Sequence, residues 1–275
     1  MTTPQRGATL AGRHADAPLL LDSQMTQQAF SPSRLDSPEL LVVIPVYNEQ
    51  ASIGEVVREW MEELDRCCRS FAILAIDDGS KDGSLEALRR LQEQWGARLL
   101  VTSQPNRGHG QTCLEGYRKA SAMGAPYVFQ IDSDGQCDPR YFSSLWRLRE
   151  QFTVVYGIRT TRDDGLARVF VSLVLRLMLL LAFQANCRDA NVPYRLMKTK
   201  EVMRAVNRIP PEFGLANIAL AVLLAGDRTC FHGFVPIHFR RRTGGQPSLK
   251  PSMFSRKALE LHRDIRKMRS EAESK

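Results

Sequence analysis

The chain has 275 residues, 43% of them hydrophobic, and a formal net charge of +8. This suits a globular core and an anionic partner such as nucleotide phosphates, an acidic lipid surface or nucleic acid. Its six cysteines (67, 68, 113, 137, 187 and 230) form no Cys-x-x-Cys pair and no zinc spacing, which argues against a disulfide framework and for a reduced, cytosolic compartment.

No sustained apolar stretch precedes Leu40, so the start of the chain does not read as a signal peptide. Residues 1–38 are rich in Thr, Gln, Ser, Pro, Ala and Asp without periodicity, and are expected to be a disordered leader. Order is expected from Glu39. Leu40-Leu41-Val42-Val43-Ile44 is a continuous apolar run, the pattern of a strand covered on both faces, and Pro45 is expected to end it. Ser52 with Glu55 reads as a capping box opening a helix to about Arg69. Phe71 to Ile76 is a second strand, closed by Asp77-Asp78-Gly79-Ser80. A helix follows to about Trp95, with Leu85, Leu88 and Leu91 at helical spacing. Leu99-Leu100-Val101 is a third strand, Asn106-Arg107-Gly108-His109-Gly110 a flexible loop, and Gln111 to Met123 a helix. Tyr127 to Ile131 is a fourth strand, Pro139 opens a helix to about Phe152, and Val154 to Gly157 is strand-like. This strand–loop–helix alternation predicts a mostly parallel, Rossmann-like sheet with helices on both faces. Right-handed crossovers put the loops after those strands on one edge, so acids from separate strand ends converge on one crevice.

The second half carries weaker signals. Residues 167–183 are strongly apolar but interrupted by Arg168 and Arg176; they fall short of the roughly 20 apolar residues that span a bilayer. Arg168, Ser172 and Arg176 share a helix face. The segment reads either as a helix packed on the domain or as an interfacial helix whose basic stripe meets lipid headgroups. Residues 192–197 read as a turn into a strand, 215–224 as a helix, 234–239 as a late strand, and 251–275 as a basic charged tail, helical or disordered.

The chain is organised around Ile-Asp-Ser-Asp-Gly-Gln-Cys-Asp at residues 131–138. Asp132 and Asp134 stand where the fourth strand ends, which in open α/β sheets is where ligands bind. Two such carboxylates can share one hard divalent cation, Mg2+ or Mn2+, completed by water and substrate phosphates. The plain alternative is a strand followed by an acidic turn.

Four motifs, in order and spacing, resemble those of family 2 glycosyltransferases with the GT-A fold. They are Ile44-Pro45-Val46-Tyr47-Asn48-Glu49, Ile76-Asp77-Asp78-Gly79-Ser80-Lys81-Asp82-Gly83, Asn106-Arg107-Gly108 and Asp132-Ser133-Asp134-Gly135-Gln136. The resemblance covers about residues 39–250 and is greatest to the dolichyl- and polyprenyl-phosphate sugar synthase branch. It implies a nucleotide-sugar donor, one divalent metal and inversion at the anomeric carbon. It implies that Pro45, Tyr47 and Glu49 border the nucleotide, with Tyr47 beside the base. One of Asp77 and Asp78 would meet the base or ribose while the other supports the loop. Asp132 and Asp134 would bridge donor and metal, with Gln136 a further metal contact. Gly108 and Gly110 permit close backbone approach to the donor, and His109 between them reads as a loop residue rather than a catalyst. The stretches 157–159, 189–196 and 239–245 resemble the basic and acceptor-side segments of the branch. Arg159, Arg195 and Arg242 are therefore candidate phosphate ligands, with an ordinary surface arginine as the alternative for each.

One departure bears on the acceptor. Many members carry a Glu-Asp pair before the last helix, where the Asp deprotonates a sugar hydroxyl; residues 211–218 here read Pro-Glu-Phe-Gly-Leu-Ala-Asn-Ile. Either Asp189 or Glu212 serves as base toward a saccharide or other hydroxyl acceptor, or none is needed because a phosphate acceptor is already anionic. The missing pair, the arginines and the apolar basic segment favour a polyprenyl phosphate and peripheral contact at the inner face of the membrane. A non-catalytic nucleotide-sugar-binding protein is the remaining alternative, and intact Asp132 and Asp134 argue against it. A dehydrogenase would need Gly-x-Gly-x-x-Gly where Pro45-Val46-Tyr47-Asn48-Glu49-Gln50 stands. No motif or aromatic–basic interleaving supports a nucleic-acid partner.

Overall fold

The structure, a computed structural model, describes residues 37–159, 192–210, 213 and 216–241. Almost all of the expected leader, the apolar segment 167–183, Asp189, Glu212, Arg242 and the tail 251–275 lie outside the described residues.

Seven strands, β1 (Leu40–Val46), β2 (Phe71–Asp77), β3 (Leu99–Ser103), β4 (Tyr127–Ile131), β5 (Val154–Arg159), β6 (Tyr194–Lys198) and β7 (His232–Ile237), form one sheet of order β3-β2-β1-β4-β6-β5-β7. β6 runs antiparallel to both its neighbours, and every other pair is parallel. The C-terminal ends of six strands and the start of β6 therefore lie on one edge. Helices α1 (Ile53–Cys67), α2 (Ser84–Trp95), α3 (His109–Ala122) and α4 (Phe142–Arg147) are the connections of the first half; α5 (Thr199–Val206) and α6 (Ala216–Gly226) follow β6.

β1 is the centre of the parallel half. All seven of its residues are buried, which is why its sequence is an unbroken apolar run rather than an alternating one. On one side Trp60 of α1 meets Phe129, Phe142 and Tyr194 with ring centroids 5.4, 6.0 and 5.9 Å away, a tilted and edge-on aromatic cluster. α3 also packs against β1, and Gly116 makes its close approach possible. A Cβ there would lie 2.2 Å from Val43 Cγ1 and 2.8 Å from Cγ2. Gly116→Ala is expected to destabilise the protein by about 1–3 kcal/mol from overpacking, even though alanine is the better helix former. Thermal unfolding checks this, and an unchanged or raised melting temperature would refute the close packing.

Four details differ from the expectations. β1 continues through Pro45 to Val46; its ladder with β4 stops at Val43, so the missing N–H falls beyond the doubly paired part of the strand. The capping box at Ser52 does not form; the hydroxyl instead lies 2.9 Å from Glu49 Oε2 and 3.0 Å from the Ser133 carbonyl oxygen. The helix expected after Pro139 is a 3-10 turn, Pro139–Tyr141, followed by the short α4. α5, unread in the sequence, begins directly where β6 ends.

Candidate active site

The site is a crevice along the C-terminal edge, and its walls are the loops after β1, β2 and β4. The first two are laced together. Asn48, at φ +54°, donates its N–H to Ser80 Oγ (3.0 Å) and accepts at Oδ1 from the Lys81 N–H (2.7 Å). The Glu49 N–H donates to Ser84 Oγ (2.8 Å), the Gln50 N–H to Asp82 Oδ2 (3.2 Å), and the Gly83 N–H to Gln50 Oε1 (3.0 Å). Side chains thus satisfy backbone donors that the sheet edge leaves unpaired. Tyr47 stands outside this lacing and is 40% exposed. Glu49 is 5% exposed and shares the Ser52 hydroxyl with the Ser133 carbonyl, tying the β1 loop to the Asp132–Asp134 turn.

Asp77 and Asp78 are both buried. Asp77 accepts at Oδ1 from the Ser80 N–H (3.1 Å) and at Oδ2 from Ser103 Oγ (2.8 Å). Asp78 accepts at Oδ1 from Gln104 Nε2 and the Arg107 N–H, both at 2.9 Å, and at Oδ2 from the Gly108 N–H at 2.8 Å. Asp78 is thereby the more committed of the two, a brace for the 104–108 loop.

β4 ends at Ile131, and Gly135 at φ +77° turns the chain directly after Asp134. The Asp132 side chain is 28% exposed. Asp134 is more enclosed and accepts at Oδ1 from the Gln136 N–H (3.1 Å). Behind them burial pushes the Cys137 thiol well above its ordinary pKa, the two carboxylates add to this, and the neutral thiol donates to the Pro193 carbonyl oxygen (3.2 Å). Among the described residues no group of three or more His, Cys, Asp or Glu side chains is arranged to hold a metal. A pair of carboxylates at the mouth of a crevice suits Mg2+ or Mn2+, which commonly take one or two protein carboxylates with water and substrate phosphates. Gln136, expected as a further metal contact, donates from Nε2 to the Arg240 carbonyl oxygen (3.3 Å), and its backbone carbonyl oxygen accepts from the Arg240 N–H (3.0 Å).

The arginines separate. Arg159 ends β5 on the crevice edge, with its guanidinium carbon 5.3 Å from the Phe239 ring centroid. Arg195 departs from the expected phosphate-binding position. It is fully buried, donating from Nε and Nη2 to the Val192 carbonyl oxygen (3.1 and 2.9 Å) and from Nη1 to that of Asn217 (3.4 Å). It sits in a strand paired on both sides, opposite Gln130 and Tyr156, so its guanidinium serves backbone carbonyls inside the fold.

Two groups take roles that the sequence did not assign to them. Arg240 donates from Nη1 to both Glu59 carboxylate oxygens (2.8 and 2.7 Å) and from Nη2 to Asp138 Oδ1 (3.0 Å), while Asp138 also holds Arg140. These ion pairs fasten the end of the Asp132–Asp138 turn to α1. His109, in the first turn of α3, places Nε2 2.8 Å from Asp132 Oδ1. Its side chain is 48% exposed; desolvation of the edge that enters the gap opposes its positive charge, but the Cys113 sulfur and the Asp132 carboxylate outweigh this and raise its pKa well above the usual histidine value.

The family model for glycosyl transferase family 2 matches residues 41–203, more than half of the chain and all the loops just described except the last. The chain belongs to glycosyltransferase family 2. It is 31% identical over 141 residues to the undecaprenyl-phosphate 4-deoxy-4-formamido-L-arabinose transferases of Salmonella choleraesuis (strain SC-B67) and Salmonella paratyphi B, covering 50% of this chain and 42% of each relative. The match thus spans less than half of those relatives' length. Among solved structures it is similar to glucosyl-3-phosphoglycerate synthase from Mycobacterium tuberculosis in complex with phosphoglyceric acid, with a TM-score of 0.60, 18% identity and coverage of 83% and 80% of the two chains. The same synthase with Mn2+ and uridine-diphosphate-glucose superposes with a TM-score of 0.56 at 19% identity, covering 80% and 76%. These likenesses establish the GT-A fold.

Proposed function

We propose that this glycosyltransferase moves a sugar from a nucleotide-sugar donor to a polyprenyl phosphate, in one displacement that inverts the anomeric carbon. A phosphate oxygen of the acceptor attacks that carbon on the face opposite the leaving group. The bond from carbon to the donor diphosphate breaks, and its electrons leave with the nucleoside diphosphate. Asp132 and Asp134 would hold the Mg2+ or Mn2+, which when bound offsets the charge developing on the diphosphate. Tyr47 stacks on the base, the laced Asn48–Gln50 and Ser80–Ser84 loops fix the nucleoside, and Asp77 keeps acceptor capacity for it.

The observation that carries the choice of acceptor is the side chain that α6 brings to this turn. Asn217 stands beside His109, which in turn meets Asp132. An amide cannot take a proton from a hydroxyl, whereas a phosphate monoester is anionic at neutral pH and attacks without a base. The name of the undecaprenyl-phosphate relatives supports the same class of acceptor. Among the described residues no helix is long and apolar enough to cross a membrane; a lipid acceptor would be met by peripheral contact at the cytoplasmic face. The deciding experiment supplies purified protein and Mn2+ with a panel of nucleotide sugars, with a polyprenyl phosphate or with saccharides. Product with the lipid alone is expected. Product with saccharides and none with the lipid would replace this reading by a hydroxyl acceptor with Asp189 or Glu212 as base.

Arg159 and Arg242 are the proposed phosphate ligands. Arg242→Lys keeps the charge but loses the two-pronged geometry of guanidinium on phosphate, so kcat/KM is expected to fall about tenfold. Arg269→Lys in the tail is the matched control. Equal kinetics for the two variants at saturating metal would remove Arg242 from the site.

A further inference from the structure

His109 is held from two sides. Gly108 at φ +87° starts α3, and a Cβ on Gly110 would lie 3.0 Å from the Ala216 backbone nitrogen. Two small residues therefore bring the first turn of α3 against the first turn of α6. The imidazole spans the gap. Nε2 is 2.8 Å from Asp132 Oδ1; Nδ1 is 3.5 Å from Asn217 Nδ2 and 3.9 Å from Cys113 Sγ. Asn217 is itself anchored: it is 4% exposed, and its backbone carbonyl oxygen accepts from buried Arg195.

We propose that His109 is a positioning residue which, backed by Asn217, holds the Asp132 carboxylate in the orientation that receives the divalent cation; this rests on the reading of Asp132 and Asp134 as the metal site. The physical case is orientational. A carboxylate on a partly exposed side chain has a broad terminal torsion, and a cation gains full benefit only when the oxygen is already placed. His109 Nε2 carries a hydrogen toward Oδ1 whether the ring is neutral or charged. Asn217 can satisfy Nδ1 in both states: its amide nitrogen donates to a bare Nδ1, and turned over its oxygen accepts from Nδ1–H. That oxygen has no other partner among the described residues. With one lone pair of Oδ1 occupied, Oδ2 and the remaining lone pairs are left for the ion. Partners that orient metal-binding side chains in this way typically matter by about 10–100-fold in affinity.

Mn2+ binding to the full chain, followed through the electron paramagnetic resonance signal of the free ion, tests this without any turnover. His109→Leu is expected to raise the Mn2+ Kd about tenfold or more. His109→Gln, whose amide N–H reaches the Nε2 position, should stay near wild type. Asn217→Ala should weaken binding a few-fold. Asp134→Asn is the control for the metal site itself. If it loses Mn2+ while His109→Leu binds like wild type, the positioning role is wrong and the metal site stands. If Asp134→Asn binds like wild type, the metal reading fails and the positioning role with it. Equal weakening by His109→Leu and His109→Gln would assign His109 to ligation or folding rather than to orientation. Should His109→Leu unfold, the glutamine and Asn217 variants decide: rescue with a few-fold loss supports the role, and weakening by glutamine or an unchanged Kd for Asn217→Ala overturns it.

Discussion

Asp134→Asn is expected to lower kcat about a hundredfold or more and leave the melting temperature near that of the wild type. The substitution preserves shape and keeps one oxygen to accept from the Gln136 N–H, the bond that shapes the turn. It removes a negative charge beside Asp132, where charge on the departing diphosphate must be offset. Asparagine remains a neutral oxygen donor, so metal affinity should weaken and the apparent metal requirement should move to higher concentration. Kinetics across a Mn2+ titration, paired with thermal unfolding, separate these effects. Turnover near wild type with an unaltered metal dependence would take Asp134 out of the metal site. A large loss of stability would make the residue structural instead.

The parallel half of the sheet was legible because its signals are local and redundant. Apolar runs at residues 40–44, 71–76 and 127–131 are followed by Asn48-Glu49, Asp77-Asp78-Gly79 and Asp132-Ser133-Asp134-Gly135, and each is a strand ending at the same edge of the sheet. What stayed hidden depends on pairings far apart in sequence. Ser52 has every mark of a helix cap, yet its hydroxyl serves Ser133, 81 residues on. Arg195 reads as a candidate phosphate ligand only through the resemblance of residues 189–196 to an acceptor-side segment, with an ordinary surface arginine as the alternative. Its burial follows from the antiparallel insertion of β6 between β4 and β5, which no local pattern announces. Arg240 was visible as one of three consecutive arginines, but its partners Glu59 and Asp138 lie 181 and 102 residues away. α5 is only eight residues long, and its apolar stripe of Val202, Ala205 and Val206 is too short to stand out. His109 read as a loop residue for the same reason: its meaning comes from Asp132 and Asn217, brought together by close helix packing.

Asp78→Ala is expected to cost about 2–4 kcal/mol of stability, a fall of roughly 5–15 °C in melting temperature. The carboxylate is 3% exposed and serves three donors from a single loop: the Gln104 amide and the N–H groups of Arg107 and Gly108. Among the described residues no other acceptor meets those two backbone N–H groups, and they sit just where the loop must enter α3 with Gly108 at φ +87°. Removing the acceptor leaves donors unsatisfied in a part-buried place, which costs more than the bonds themselves contribute. Asp78→Asn should fall between wild type and alanine. Its oxygen can serve one side, but its amide hydrogens then face backbone N–H groups on the other. Donor affinity should drop in step with stability across the two variants, because the same loop leads into α3 at His109. Asp77, with two donors to its side chain among the described residues on a group that offers about four acceptor sites, is the residue whose substitution should weaken nucleotide binding more than its stability loss accounts for. Calorimetric unfolding and equilibrium binding of the nucleoside diphosphate of whichever donor the panel selects, to Asp77→Asn, Asp78→Asn and Asp78→Ala, distinguish the roles. If Asp78→Ala melts like the wild type and loses only nucleotide affinity, the assignments of the two acids must be exchanged.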